Sequence, residues 1–348
     1  MFVVNGRFLT QKPTGIHRYA FEICNWLHQL GTDFYVAVPR NINPDYKYSF
    51  KTVECGGLNG HLWEQISLPR YLKSQGNPLL VSFSGCGPLM YRNQIMTIHD
   101  VSHERHPEWF SKNYWRYYSY MMPRIANKAH AVITVSNYSK KEIIDVLGIP
   151  ANKIFVVNCS IPTYHTNNNI KDNESHEKYI LSVSSLDPRK NFKRLIEAFN
   201  KISDKNIKLY IVGMQFKAFN TPDLQNLVTD RVVMPGYVDD NKLNDLYRNA
   251  LFSIYPSLYE GFGIPPLESM VCGCPVIASR IEAIEEICED AVLYVDPYDI
   301  TDMVHQMNRL ISDVALQESL KQKGYRQVQK YSWEKSARKV LDIVKRYE

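Results

Sequence analysis

The stretch that decides the fold is YEGFGIPPLE, residues 259–268, entered directly from FSIYPSL at 252–258. Two glycines and two prolines between Glu260 and Glu268 rule out a long helix across it. The spacing predicts instead a strand that ends at Ser257, a glycine loop, and a helix that begins at the prolines and carries Glu268 in its first turn. Two acids pinned around such a loop build a ligand site, because ligands of parallel sheets bind beyond the carboxyl ends of the strands.

The rest of the chain supplies those sheets. Apolar runs at 2–4 (FVV), 34–38 (FYVAV), 79–83 (LLVSF), 95–98 (IMTI), 131–135 (AVITV) and 154–157 (IFVV) alternate with stretches of helical spacing. The alternation stops at TYHTNNNIKDNESHEK (163–178), polar and rich in Asn, and restarts with runs at 179–184, 208–213, 231–234, 251–257, 275–279 and 291–295. Apolar strands alternating with amphipathic helices imply parallel sheets covered on both faces. The expected architecture is α/β with two Rossmann-like domains, residues 1–162 and 179–330, joined by a linker at 163–178; one large sheet is the competing arrangement.

At 348 residues the chain has the length of two ordinary domains, and 45% apolar with 22% charged residues is a common soluble composition. MFVVNGRFL enters a strand-like run at Phe2 without a charged leader, and no apolar run approaches bilayer length, so a cytoplasmic chain that is neither exported nor transmembrane is expected. The seven cysteines are scattered, and Cys272 and Cys274 lie too close together, with no partners nearby, for a zinc knuckle. Reduced, mostly buried thiols follow. A net charge of +5 is compatible with nucleic acid, but no recognition motif accompanies it, so no nucleic-acid partner is expected.

Candidate site residues then belong just after strands. Gly15 in KPTGIHRYAFEI follows the first strand and opens a helix, where free N–H groups with no Cβ in the way suit an anion; alone, it could simply turn the chain. His99 lies at the end of a strand in IMTIHDVSHERH; a lone His is more often a satisfied core residue, the placement at the strand's carboxyl end shifts it toward a cleft role, and no metal triad is spaced around it. Ser136 follows another strand, with Ser139 or Asn137 as a plausible helix cap, and capping alone would explain the hydroxyl group. In SVSSLDPRKNFKRLIEAF (182–199), Arg189, Lys190, Lys193 and Arg194 crowd a helix start, where cations are unfavourable unless an anion such as a diphosphate joins them. Lys193 and Arg194 have the alternative of a solvated basic turn. Glu268 near a helix start is suited to a pair of ribose hydroxyls, and Glu260 on the loop to sugar hydroxyls or an electron-poor carbon.

With these residues in hand, PSLYEGFGIPPLESMVCGCPVIAS (256–279) resembles the signature of glycosyltransferase family 4, retaining enzymes that use nucleotide sugars and have the two-Rossmann GT-B fold, their parallel sheets facing across a cleft. The likeness extends through 5–23, 97–111, 132–143, 186–199, 233–250 and 331–341. The resemblance implies that Glu268 binds the donor ribose, Lys190 the diphosphate, and Glu260 with the 261–264 backbone (Gly261, Phe262, Gly263, Ile264) the transferred sugar. It further implies that Gly15 approaches the diphosphate from the other domain, that His99 sits by the sugar near the reaction centre, and that Gly236, Tyr237 and Val238 border the base. The last helix, 331–348, is expected to return to the first domain. Where many members have Gly-Arg after the strand, this chain has Ser184-Ser185, so either Arg189 supplies the second positive charge or Lys190 and backbone hold the diphosphate alone. The linker entrance reads VNCSIP (157–162) in place of the usual Asn-Gly turn.

Breaking an anomeric bond to a diphosphate requires the leaving charge to be stabilised, which placed cations and helix dipoles do without a metal; the chain has no Asp-x-Asp. Glu260 suits the oxocarbenium character of the carbon. The resemblance favours front-face attack by a hydroxyl of a glycan or lipid-linked glycan, with the nucleotide sugar as substrate and no cofactor, as in bacterial surface polysaccharide synthesis. A sugar-nucleotide epimerase or a non-catalytic sugar-nucleotide binder is the competing class. Residues 112–141 hold six Lys or Arg and no Asp or Glu, with YWRYYSYMM at 114–122. That mixture suits an anionic membrane surface at the inner face of the cell membrane, or else a partly buried helix with solvated cations.

Overall fold

A computed structural model describes residues 1–12, 15–161, 177–214, 219, 224 and 226–348. The segment read as a linker lies almost wholly outside the described residues. Contacts divide the chain into two compact units, the first comprising Met1–Arg105, Trp115–Cys159 and Ser332–Glu348, the second His106–Tyr114 and Ser160–Tyr331.

The first unit is built on seven parallel strands: β1 Phe2–Asn5, β2 Phe34–Val38, β3 Thr52–Glu54, β4 Leu80–Ser82, β5 Gln94–Thr97, β6 Ala131–Thr134 and β7 Ile154–Val156. Their order is β3-β2-β1-β4-β5-β6-β7. The chain therefore reverses its winding between β1 and β4, which opens a crevice at the carboxyl edge there. β3 escapes the periodicity because its Thr-Val-Glu is half solvated at a sheet edge. One set of buried side chains, including Val3, Trp63, Leu68, Leu72 and Leu80, covers one region of the sheet, and another, including Met96, Val101, Ile125, Val132 and Ile143, packs the β5–β7 end. The last helix, Trp333–Val344, packs against Gly15–Gln29 within this unit, with the rings of Trp333 and Tyr19 5.8 Å apart.

The second unit has six parallel strands: β8 Tyr179–Val183, β9 Lys208–Val212, β10 Val232–Gly236, β11 Phe252–Tyr255, β12 Val276–Ser279 and β13 Leu293–Val295. The order β10-β9-β8-β11-β12-β13 reverses between β8 and β11. Ile180, Leu209, Phe252, Ile254 and Ile277 from the strands join Phe192, Leu195, Phe199, Met303 and Met307 from the helices in one core. The amphipathic helix Phe192–Lys201 buries Phe192, Leu195, Ile196, Ala198 and Phe199 there, the 3.6-residue stripe its sequence shows. At roughly 25 cal/mol per Å² of apolar surface removed from water, each such side chain contributes about 1.5–3 kcal/mol.

Two sequence expectations need correction. β11 ends at Tyr255 rather than Ser257, because Pro256 has no N–H to continue the ladder. The following helix starts at Ile264, so Glu268 is its fifth residue and stands in the second turn. The helix macrodipole falls off within the first turn, so Glu268 depends on side-chain partners instead. All seven cysteines are free, six of them buried, with Cys272 partly exposed.

Candidate active site

The loops after β8 and β11, on either side of the reversal in the second sheet, bring the central residues together. After β8 the chain makes a short 3-10 turn, Pro188–Lys190, started by Pro188, and then sets Asn191 in the left-handed region (φ 60°) before the next helix. Asn191 is buried, and its Nδ2 donates to the carbonyls of Pro256 at 3.0 Å and Pro297 at 2.6 Å. Leu258 N donates to Arg189 O at 2.7 Å. One asparagine side chain thus stitches the β8 loop to the β11 and β13 loops, which explains why so costly a backbone conformation persists.

Across that seam Lys190 Nζ donates to Glu260 Oε1 at 2.6 Å. The two side chains are 8% and 13% exposed. Burial pushes the Glu260 carboxyl up, but the Lys190 ammonium, the Arg189 guanidinium and hydrogen bonds from Lys190 and Ser257 together outweigh it and hold the group below its usual range. Glu260 is therefore an anion at neutral pH. An ammonium has three protons, so Lys190 can keep Glu260 and still donate to an incoming anion. Arg189 is fixed differently: its Nε donates to the fully buried Asp187 at 3.2 Å, and its guanidinium lies 5.4 Å from the Phe219 ring. Ser185 Oγ donates to the other Asp187 oxygen at 2.6 Å. Asp187 was not singled out from the sequence; its signal was the Asp-Pro pair that opens the turn. Lys193 is exposed, whereas Arg194 donates to Asn191 Oδ1 at 3.0 Å and so steadies the turn.

The 261–264 backbone passes beside this pair. Gly263 has φ +95°, a conformation that favours glycine, and a Cβ there would also have to displace Ile284 Cδ1, 2.5 Å away. Eight residues beyond Glu260, buried Glu268 accepts a hydrogen bond from Tyr247 Oη at 3.0 Å. Tyr255 Oη donates to Tyr247 Oη at 3.2 Å and meets Ser269 Oγ at 3.0 Å, and Ser269 pairs with Ser253 Oγ at 2.7 Å. This hydroxyl network, in place of a helix N-terminus, is what supports the Glu268 carboxylate, and Tyr247 was missed because nothing local marks it. Tyr237 and Val238 follow β10 at its carboxyl end; Tyr237 is 61% exposed and free to pack on a flat ring.

In the first unit, Gly15 is the exposed first residue of the helix Gly15–Gln29, whose first turn holds no acid. His99 follows β5, and its Nε2 donates to Phe83 O at 2.9 Å while its ring meets Tyr19 edge-on at 5.0 Å. Burial lowers its pKa more than that bond and Asp100 raise it, so the imidazole is neutral with Nδ1 as acceptor. His17, not anticipated, is pushed down to about 4, first by burial and further by Arg7 and His99, against the opposing hydrogen bond to Lys12 O. Among the described residues no three His, Cys, Asp or Glu side chains are placed to hold one metal ion.

The profile of glycosyl transferases group 1 matches residues 164–327, and that of glycosyltransferase family 4 matches 13–165. O-antigen chain mannosyltransferase B of Escherichia coli is 27% identical over 74% of this chain and 71% of its own. The O-antigen chain mannosyltransferase RfbU of Salmonella typhimurium is 27% identical over 85% and 87%. The serotype-specific mannosyltransferase WbdA of Escherichia coli is 26% identical over 62% of this chain, a match that spans only 28% of that longer protein. Among solved structures, WaaG, a glycosyltransferase involved in lipopolysaccharide biosynthesis, superposes with a TM-score of 0.75 at 14% identity, covering 99% of this chain and 98% of that one. Anabaena HepE in complex with UDP-glucose gives 0.73 at 14%, with the same coverage. With family profiles matched over residues 13–327 between them and two parallel Rossmann-like sheets beneath, the chain belongs to glycosyltransferase family 4 and has the GT-B fold.

Proposed function

We propose that the enzyme transfers a hexose, mannose, from a nucleoside-diphosphate donor to a hydroxyl of a lipid-linked glycan, with retention at the anomeric carbon and without a metal, in the synthesis of a bacterial surface polysaccharide. The observation that carries this reading is the Lys190–Glu260 contact across the reversal of the second sheet. Lys190 stabilises the departing diphosphate, Glu260 takes the hydroxyls and the developing positive charge of the sugar, Glu268 accepts from the ribose, and Tyr237 packs on the base. An epimerase or a passive binder has no need of a buried cation held against a sugar-side carboxylate. The names of the O-antigen mannosyltransferase relatives support mannose and the polysaccharide setting.

A lipid-linked acceptor fits one surface. On the helix Lys112–Lys128, the residues Lys112, Arg116, Tyr120, Arg124 and Lys128 recur every fourth position and all are exposed, with Arg124 3.7 Å from the centre of the Tyr120 ring. A cationic stripe with an aromatic suits an anionic headgroup layer. Among the described residues no helix is long and apolar enough to cross a membrane. The test of the reaction is a panel of nucleotide sugars, GDP-mannose and UDP-glucose among them, with nucleotide release followed with and without acceptor. Acceptor-stimulated release from a hexose donor is expected; an altered sugar nucleotide with no transfer, or no turnover of any donor, rejects the proposal.

A further inference from the structure

The first unit has its own polar cluster at the reversal between β1 and β4. Arg7, in the 3-10 turn Gly6–Thr10 that follows β1, places Nε 3.3 Å from Glu64 Oε1. Asn5 Nδ2 donates to the same oxygen at 2.8 Å. The Glu64 side chain is wholly buried on a π-helical turn, Trp63–Ser67, a conformation that is frequent at functional sites. Gly85 makes room for the pair: a Cβ there would lie 2.6 Å from Arg7 Nη2 and 3.3 Å from Glu64 Oε1. Burial pushes the Glu64 carboxyl up, and Arg7, His61 and Asn5 together hold it below its usual range.

The second oxygen of Glu64 is the feature that points to a ligand. Oε2 is buried and accepts no hydrogen bond, and His61 Nδ1 stands 3.7 Å from it. A closure of under about 1 Å brings that pair to hydrogen-bond length. Nδ1–H on Glu64 leaves Nε2 as an acceptor. The His61 side chain is 44% exposed, its ring centre 4.3 Å from that of Tyr117 and both ring nitrogens within 3.4 Å of Arg7 Nη1. A partly exposed imidazole, the guanidinium beside it and an aromatic ring are groups that grip a sugar by its hydroxyls and its C–H face.

We propose that His61, oriented by Glu64, binds a hydroxyl of the saccharide acceptor, with Glu64 as a positioning residue behind it; the inference rests on the transferase reading above and names its acceptor contact. The test uses octyl α-mannoside and octyl β-glucoside as probes, their binding to the full chain followed by saturation-transfer NMR with no donor present. The expected result is binding that weakens about tenfold in His61→Ala and in Glu64→Gln and is partly regained in His61→Gln, with GDP-mannose affinity by calorimetry unchanged. Failure of the unaltered protein to bind either glycoside, or equal binding by His61→Ala, overturns the assignment. A folded Glu64→Gln chain that binds as the unaltered protein does removes Glu64 from it. Because no donor takes part, a negative result here leaves the donor panel to decide the transfer reaction by itself.

Discussion

Replacing Lys190 by Ala separates a role in turnover from a role in binding. Its ammonium is held at 2.6 Å by Glu260 and retains two further protons, so it can meet a diphosphate oxygen without leaving its partner. A hydrogen bond between charged groups is worth about 1.5–3 kcal/mol, and at 1.36 kcal/mol per decade its loss lowers kcat by about 10- to 150-fold. The loss falls on kcat because the charge on the leaving group grows toward the transition state. The substitution also strands Glu260. Breaking a fully buried pair costs about 3–5 kcal/mol, and since Glu260 keeps Arg189 and Ser257 nearby, a cost of about 2 kcal/mol is expected here. That corresponds to a drop of about 4–8 °C in Tm. Steady-state nucleotide release, measured well below the lowered Tm, reads the kinetic part and calorimetry the thermal part. A KM that rises while kcat holds would refute the reasoning and make Lys190 a ground-state binder.

The remaining outcomes follow from the same geometry. Glu268→Ala weakens the bare nucleoside diphosphate by about tenfold or more in calorimetry, since it removes the ribose acceptor and the carboxylate to which Tyr247 Oη donates; unchanged affinity takes Glu268 out of the site. Activity survives excess EDTA, and full loss restored by magnesium or manganese would overturn the metal-independent reading. His17, at about 4 when folded against 6.5 ordinarily, takes up its proton later than the unfolded chain as pH falls, so its contribution is complete above 6.5 and disappears between 6.5 and 4. The loss amounts to at most about 3 kcal/mol, and an NMR titration of His17 with a midpoint near 6.5 contradicts it. Vesicles of anionic lipid sediment the protein at low salt and release it at high salt, and the Gln variants of Lys112, Arg116, Arg124 and Lys128 behave at low salt as the unaltered protein does at high salt; equal partition into neutral vesicles refutes the surface.

Strand by strand, the sheets were legible because both faces of a parallel sheet are buried, which writes continuous apolar runs such as FYVAV at 34–38 into the sequence. What failed to show was whatever depended on exposure or on distance. β3 has one apolar residue in three and rests at an edge. The glycines and prolines of 261–266 marked a loop and a helix start, but the start moved to Ile264 and carried Glu268 out of the first turn. Lys190 and Glu260 were each visible as strand-end residues, whereas their contact over 70 positions was not. Asn5 and Arg7 lay in the 5–23 stretch that carries the family resemblance, but nothing there pointed to His61 and Glu64, since only the β1–β4 reversal collects residues so far apart.

Both sheets reverse their winding once, and at each reversal a cation from the loop after the inner strand faces a carboxylate: Arg7 with Glu64 after β1, Lys190 with Glu260 after β8. The crevice explains the recurrence, because a gap at the carboxyl edge of parallel strands is polar, partly dry and lined by loops free to vary. The chemistry of the two pairs differs in a way that assigns them different work. Arg7 and Glu64 are locked by Asn5 and closed over by Gly85, so what that pair presents outward is His61. Lys190 is a compact ammonium whose remaining protons are unconstrained in direction, and Glu260 keeps some exposure on the glycine loop. A rigid pair whose carboxylate is wholly buried serves to orient the imidazole and guanidinium at its edge and has no carboxylate to offer a substrate. A pair with spare donors and an accessible carboxylate can instead follow charge as it moves from a sugar carbon to a departing phosphate, which is the demand that glycosyl transfer makes of its site.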